Sequence, residues 1–75
     1  MEPILGNSNT IIPRPGYLED VKTLCHLEGA LLCFDEVITG LSRTGKIFAL
    51  EHWGIVPDIM TVAKGITSSY LPLAA

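Results

Sequence analysis

The sequence has no apolar run close to the roughly 20 residues that a membrane-spanning helix requires. Its net charge is −3, so it has no basic excess of the kind that attracts nucleic acid. Its first residues lack the basic and long apolar stretches of a secretory signal. The two cysteines, Cys25 and Cys33, form neither a CxxC pair nor a metal-ligand spacing. We therefore expect a cytoplasmic protein with two reduced, buried thiols, and neither a nucleic-acid nor a membrane partner.

The chain also has little length. Seventy-five residues suffice for one small domain, and a chain of this size buries only about 60% of its unfolded surface. Yet 48% of the residues are hydrophobic and only 17% are charged, which is apolar for a domain with so thin a core. The composition therefore predicts that residues 1–75 are a single partial segment of a larger core, not a complete domain.

The apolar pattern predicts an alternation of helix and strand. From Tyr17 to Cys25, apolar residues recur at helical spacing, and Gly29 suits the position just past a helix end. Residues 30–34 and 58–62 are short, nearly continuous apolar runs, which are typical of strands buried on both faces. Further along the chain we interpret residues 1–5 as a strand end, 37–45 as a loop and 48–53 as one or two helical turns. This order of elements predicts an α/β fold with a mostly parallel sheet.

Two charged residues stand at the ends of the two predicted strands. Asp35 follows the apolar run 31–34, and Lys64 follows the run 59–63. Open α/β sheets bind ligands beyond the carboxyl ends of their strands, so we expect both side chains to act on the same small molecule. Taken alone, an aspartate or glutamate at a strand end is more simply explained as the cap of the next element, and a lysine as a solvated surface residue.

The same stretch has features of a glycosidase site and of a phosphate-binding loop. Neighbouring strand residues point to opposite faces, so Asp35 and Glu36 do not form the facing carboxylate pair of a glycosidase. Residues 40–46 match the GxxxxGK spacing of a phosphate-binding loop, but Ile47 stands where that loop needs Ser or Thr for magnesium. We interpret residues 40–46 as a connection between the strands with a solvated basic tip.

Three motifs lie in the second half of the chain. Residues 32–45 read LCFDEVITGLSRTG, residues 57–59 read PDI and residues 63–65 read AKG. At this spacing they strongly resemble the signature of the class-III pyridoxal-phosphate-dependent aminotransferases, which include the omega-amino-acid:pyruvate, ornithine and 4-aminobutyrate enzymes. The resemblance covers essentially the whole chain. It implies an internal fragment of the cofactor-binding large domain of the fold-type-I transferases, in which helices flank a mostly parallel sheet.

The resemblance implies a role for three side chains and no metal site. Lys64 would hold pyridoxal 5'-phosphate through a Schiff base and would move a proton between the substrate α-carbon and the cofactor. Asp35 would pair with the protonated pyridine nitrogen, and Val37 would pack against one face of the ring. The full enzyme would transfer an amino group from an amine or amino acid to a keto acid. It would be a homodimer or a larger assembly.

Two alternatives stay open within this interpretation. An aminomutase of the glutamate-1-semialdehyde type shares the roles of Asp35 and Lys64, although residues 43–45 and 63–65 are more similar to the aminotransferases. The chain could instead be a truncated product without catalysis. Family members are several times longer, and their phosphate-binding and substrate-carboxylate contacts have no counterpart here. We therefore expect residues 1–75 alone neither to hold the cofactor tightly nor to catalyse.

Overall fold

The computed structural model describes residues 1–75 and contains one α-helix, two strands and two short 3₁₀ helices. In chain order these are α1 (Tyr17–Leu27), β1 (Cys33–Asp35), the first 3₁₀ helix (Ala49–His52), β2 (Ile59–Thr61) and the lysine turn, a 3₁₀ helix over Lys64–Ile66. β1 and β2 lie side by side and run parallel. The order of elements and the parallel pairing confirm the α/β class predicted from the sequence.

α1 begins at Tyr17 and ends at Leu27, which confirms the predicted helix. Glu19 and Asp20 occupy its first turn, where the helix dipole favours negative charge. Just past the helix, Gly29 has a φ of 66°, the left-handed conformation in which glycine commonly terminates helices. Both ends of α1 thus carry local sequence signals, and those signals are sufficient to locate it.

Both strands are shorter and more exposed than expected. β1 buries Phe34, but Leu31, just before the strand, is 70% exposed. β2 spans three residues, and Ile59 at its start is 47% exposed. The prediction of strands buried on both faces is therefore wrong for this chain. The reason is that residues 1–75 supply one helix to cover the sheet, and no second layer of the chain covers the other face.

The core is a small cluster in which residues from α1 and from the strand region meet. Its four buried members are Leu18, Leu32, Phe34 and Ile55. Fourteen large apolar side chains elsewhere are exposed. So much exposed apolar surface around so small a core is typical of a polypeptide segment that packs against further protein.

The N-terminal residue lies beside β1 without forming a strand. The Met1 amino group donates a hydrogen bond to the Cys33 carbonyl over 2.7 Å, and the Asp35 N–H donates to the Met1 carbonyl over 2.7 Å. This is the bonding pattern of a third strand parallel to β1. Beyond it the chain turns away, and Leu5 and Ile11 form an isolated antiparallel bridge. The predicted strand end is therefore reduced to one residue.

The long connection between the strands consists of turns and bends. Residues 37–48 contain no helix or strand, and the first 3₁₀ helix follows them. That short helix confirms the helical turn predicted over residues 48–53. A phosphate-binding loop would open an α-helix, and no α-helix follows here, which supports the interpretation of residues 40–46 as a connection.

The cysteines, the helices and the possible metal ligands can be compared with what the sequence predicts. Cys25 and Cys33 are unpaired, as expected, but both are half-buried and not buried. None of the helices has the length and apolar character that crossing a bilayer would require. The chain contains no group of three His, Cys, Asp or Glu side chains arranged to hold a metal ion.

Candidate functional site

The register of the strand pair brings the two predicted site residues to one edge of the sheet. Asp35 is the last residue of β1 and lies opposite Thr61, the last residue of β2. Lys64 follows Thr61 closely and begins the lysine turn. Because the strands are parallel, both charged residues lie at carboxyl ends, where open α/β sheets bind ligands. The structure thus contains the shared edge that the sequence predicts.

Asp58 fixes this register at the other end of the strand pair, where both strands begin. Its carboxylate accepts a hydrogen bond from the Leu32 N–H over 2.8 Å. The N–H groups of Asp58 and Ile59 donate in return to the Leu32 carbonyl, over 2.9 and 3.1 Å. Hydrogen bonds to a charged carboxylate are stronger than neutral ones, so Asp58 fixes the start of β2 against the start of β1. This is a structural role for the PDI motif.

Asp35 keeps one carboxylate oxygen free of contacts with the chain. Its side chain is half-buried, and Oδ1 accepts a hydrogen bond from the Val37 N–H over 3.0 Å. Oδ2 accepts no hydrogen bond from the protein, and it is not among buried atoms left unpaired, so it reaches solvent. The bond to Val37 therefore orients the carboxylate through one oxygen and leaves the other for a ligand. Val37 itself is half-buried at the same edge.

Lys64 combines an exposed side chain with a strained backbone. Its φ is 25°, and such a conformation in a residue other than glycine costs on the order of 1–3 kcal/mol. The Lys64 carbonyl accepts a hydrogen bond from the Ser69 N–H over 3.0 Å, and the Ile66 N–H closes the turn on the Ala63 carbonyl over 2.9 Å. No carboxylate of the chain pairs with the Lys64 amine. The amine is therefore available to a ligand at this edge.

Glu36 is the buried residue beside the site. Its side chain is 1% exposed, and its carboxylate accepts hydrogen bonds from the Thr39 hydroxyl and from the N–H groups of Ala49 (3.1 Å) and Leu50 (2.8 Å). These two N–H groups open the first 3₁₀ helix, whose initial donors have no partner within the helix. Of the two neighbouring carboxylates, Glu36 is therefore the cap, and Asp35 is the one left open.

The turn after β1 packs directly against the lysine turn. In this anchor turn, residues 36–41, the Gly40 N–H donates to the Glu36 carbonyl over 2.8 Å. A Cβ on Gly40 would lie 2.7 Å from that oxygen, and a Cβ on Gly65 would lie 2.8 Å from the Leu41 Cβ. Both distances are too short for real atoms, so both positions need glycine for the close approach. Leu41 is the near neighbour for which Gly65 makes room.

An apolar groove lies elsewhere in the chain. It has a volume of about 580 Å³, lies between the N-terminal segment and α1, and is lined by side chains that include Leu5, Ile12 and Leu18. Neither Asp35 nor Lys64 contributes to its walls. The candidate site is therefore an open edge of the sheet and not an enclosed cavity.

Similarity to known proteins agrees with this geometry. The model of the family described as aminotransferase class-III matches residues 1–75. The chain is 52% identical, over its whole length, to the uncharacterised aminotransferase YhxA of Bacillus subtilis, of which it covers 17%. It is 48% identical, again over its whole length, to the putrescine aminotransferase of Pectobacterium atrosepticum, of which it covers 16%.

Solved structures give the same result for the fold. The chain matches a transaminase from the marine bacterium Virgibacillus with a TM-score of 0.94 and 48% identity, over 97% of this chain and 16% of that one. The chain thus spans about a sixth of the length of the curated relatives it matches. Its helix and strand pair have the arrangement found in one segment of the transaminase fold.

Proposed function

The chain belongs to the class-III aminotransferase family, and on that premise we propose that it forms part of the cofactor-binding large domain of a pyridoxal-phosphate-dependent transaminase. The observation that carries the proposal is the common edge, where Asp35 ends β1 and Lys64 opens the turn after the adjacent, parallel β2. The full protein would move an amino group from an amine or amino acid to a keto acid. The same premise implies a homodimer or larger assembly, and the two unpaired cysteines favour the cytoplasm.

The residues at this edge fit pyridoxal phosphate. Asp35 offers a carboxylate oxygen without a protein partner. A protonated pyridine nitrogen is a hydrogen-bond donor of opposite charge. Lys64 offers an unpaired primary amine, the group that forms a Schiff base with an aldehyde. When bound, the cofactor supplies an electron sink for the bond that breaks at the substrate α-carbon.

Each side chain then has one task. The Lys64 amine would hold the cofactor and would accept the proton that leaves the substrate α-carbon. Asp35 would hold a proton on the ring nitrogen, while the bond from the Val37 N–H to Oδ1 keeps the carboxylate from turning away. The Val37 side chain would pack against the ring.

The test uses a complete enzyme. In a chimera, residues 1–75 replace the segment they match in the Pectobacterium putrescine aminotransferase, to which they are 48% identical. We expect Lys64→Ala to abolish covalent attachment of the cofactor. It should also slow amino transfer by about 10²–10⁴-fold, because that is the usual loss when a positioned proton-transfer group is removed. Cofactor absorbance and the rate of amino transfer measure the two effects.

The matched control is Lys46→Ala, which removes an exposed lysine from the connection between the strands. We expect this variant to keep both the absorbance of the bound cofactor and the rate. Equal behaviour of the two alanine variants in a folded chimera would contradict the assignment of Lys64.

Residues 1–75 alone are expected neither to bind the cofactor tightly nor to catalyse. The site is an open sheet edge, and its two groups are set on a core of four buried apolar residues. Borohydride reduction of the chain at micromolar cofactor, followed by peptide mapping, measures the binding. Stoichiometric pyridoxyl label on Lys64 would contradict the expectation and show that the segment builds a complete site.

A further inference from the structure

We propose that Glu36 is a positioning residue for Lys64, acting through the anchor turn, residues 36–41. The inference rests on the proposed function, because it gives a task in that function to a residue that does not touch the cofactor. Glu36 and Lys64 belong to turns that follow neighbouring strands. Leu41 is the point at which the two turns meet.

Glu36 fixes the beginning of the anchor turn. All of its polar groups are bonded: the carboxylate binds Thr39 and the first 3₁₀ helix, the N–H donates to the Thr61 carbonyl over 2.8 Å, and the carbonyl accepts from the Gly40 N–H. A buried charge is costly unless its hydrogen bonds are satisfied. The side chain is therefore confined to the one position in which it keeps these partners, and the anchor turn is confined with it.

Leu41 transmits this position to the lysine turn. A Cβ built on Gly65 would meet three atoms of the anchor turn. These are the Leu41 Cβ, the Leu41 Cδ1 at 3.3 Å and the Gly40 carbonyl oxygen at 3.4 Å. The anchor turn thus forms a wall directly against the residue that follows Lys64. A strained conformation such as the φ of 25° at Lys64 persists only where the surroundings over-determine it. The wall at Gly65 supplies such surroundings together with the two backbone hydrogen bonds of the lysine turn.

The chain offers a matched pair of glutamates for the test. Glu36 and Glu51 both accept hydrogen bonds from N–H groups at the start of the first 3₁₀ helix, and Glu51 does so from Phe48 over 2.8 Å. Glu36→Gln and Glu51→Gln each remove one negative charge from that helix start. Only Glu36 is also part of the anchor turn. The substitutions are made in the chimera, so that they act within a complete enzyme.

The first readout is amide hydrogen exchange of the cofactor-free chimera, measured by mass spectrometry on peptides. We expect Glu36→Gln to raise exchange over residues 62–70 by about tenfold, which corresponds to about 1.4 kcal/mol, while peptides from α1 stay unchanged. Glu51→Gln should raise exchange only over residues 49–53. If Glu36 served only as a helix cap, both variants would affect residues 49–53 and neither would affect 62–70.

A second variant keeps the test decisive if Glu36→Gln does not fold. Leu41→Gly removes the contact with Gly65 and leaves every hydrogen bond of Glu36 in place. We expect it to raise exchange over residues 62–70 as Glu36→Gln does. In the cofactor-loaded chimera both variants should also alter the absorbance band of the bound cofactor, which Glu51→Gln should leave unchanged.

The outcomes separate the two proposals. If the unsubstituted chimera carries cofactor on Lys64 and exchange over residues 62–70 is the same in all variants, the role of Glu36 is overturned and the proposed function stands. If the unsubstituted chimera carries no cofactor on Lys64, both proposals are overturned. Increased exchange over residues 62–70 in Glu36→Gln and in Leu41→Gly but not in Glu51→Gln, together with label on Lys64, supports both. A folded Glu36→Gln variant without increased exchange over residues 62–70 overturns the role of Glu36, whatever Leu41→Gly shows.

Discussion

The turns that follow β1 and β2 are built in opposite ways. The anchor turn begins at Glu36, a buried residue whose polar groups are all bonded. The lysine turn is exposed at Lys64, has a strained φ there, and continues into Ser68 and Ser69, whose φ values are 53° and 63°. The first turn is fixed by a buried side chain as well as by backbone bonds, whereas the second has only backbone bonds of its own and packs against the first. This difference agrees with the proposal that the first turn supports the second and that the second contains the reactive lysine.

Asp35 and Glu36 repeat this contrast between neighbours. Glu36 is 1% exposed, and its carboxylate accepts hydrogen bonds from backbone N–H groups and a hydroxyl of the chain. Asp35 is half-buried, and one of its carboxylate oxygens accepts a single hydrogen bond, from the Val37 N–H. Adjacent residues at a strand end point to opposite faces, so one carboxylate enters the protein and the other stays at the edge. The molecule thereby combines a structural carboxylate with one that can bind a ligand.

Among the changes that test this contrast between the two carboxylates, the largest effect is expected from neutralising Asp35. Asp35→Asn keeps an acceptor oxygen for the Val37 N–H but removes the negative charge that we propose pairs with the ring nitrogen. We expect kcat/KM of the chimera to fall by about 10²–10³-fold, the scale at which one preorganised electrostatic contact acts in catalysis. Asp20→Asn is the control, because it makes the same change at an exposed carboxylate of α1 that takes no part in the strand register. An equal fall in kcat/KM for both variants would show that the effect is not specific to Asp35.

The next largest effect is a loss of stability when the buried carboxylate of Glu36 is neutralised. Glu36→Gln replaces charged hydrogen bonds to Ala49, Leu50 and Thr39 by neutral ones. We expect it to lower the free energy of unfolding by about 1.5–3 kcal/mol, measured as a shift of the urea midpoint at constant slope. Glu51→Gln, at the exposed cap of the same helix, should lower it by about 1 kcal/mol or less. If Glu51→Gln proved the more damaging, the buried carboxylate would not be the structural one.

A smaller effect tests the tightness of the anchor turn. Gly40→Ala would place a Cβ 2.7 Å from the backbone oxygen of Glu36, an atom that cannot move without opening the turn. We expect a loss of about 1–3 kcal/mol in the free energy of unfolding, measured in the same way. The control is Gly6→Ala, whose Cβ would meet a methyl carbon of Ile38 at 2.8 Å. This is a side-chain atom, which can shift more easily than a hydrogen-bonded backbone oxygen, so the loss should be smaller, and equal losses would argue against a rigid anchor turn.

Local signals made α1 and the site edge predictable. The anions of the first turn, the helical spacing from Tyr17 and the terminal Gly29 all lie within α1 or next to it. The positions of Asp35 and Lys64 each follow from a short apolar run that ends in a charge. Once the strands are parallel, their carboxyl ends must meet at one edge. That part of the site therefore requires no knowledge of distant contacts.

The role of Glu36 and the exposure of the strands depend on contacts that the sequence pattern does not record. The carboxylate of Glu36 binds backbone N–H groups 13 and 14 residues away, and every residue except proline has such a group, so no residue type marks the partner. The sequence did indicate that one of Asp35 and Glu36 caps the next element, without saying which. The exposed face of β2 has apolar residues but no covering layer within residues 1–75.

The most direct test of the central claim is to locate the cofactor chemically. The chimera is loaded with pyridoxal phosphate, reduced with borohydride and digested, and the pyridoxyl group is assigned among Lys22, Lys46 and Lys64 and the lysines of the host enzyme. We expect one pyridoxyl group per chain, on Lys64. Label on Lys46 or Lys22, or label spread evenly over the exposed lysines, would contradict it.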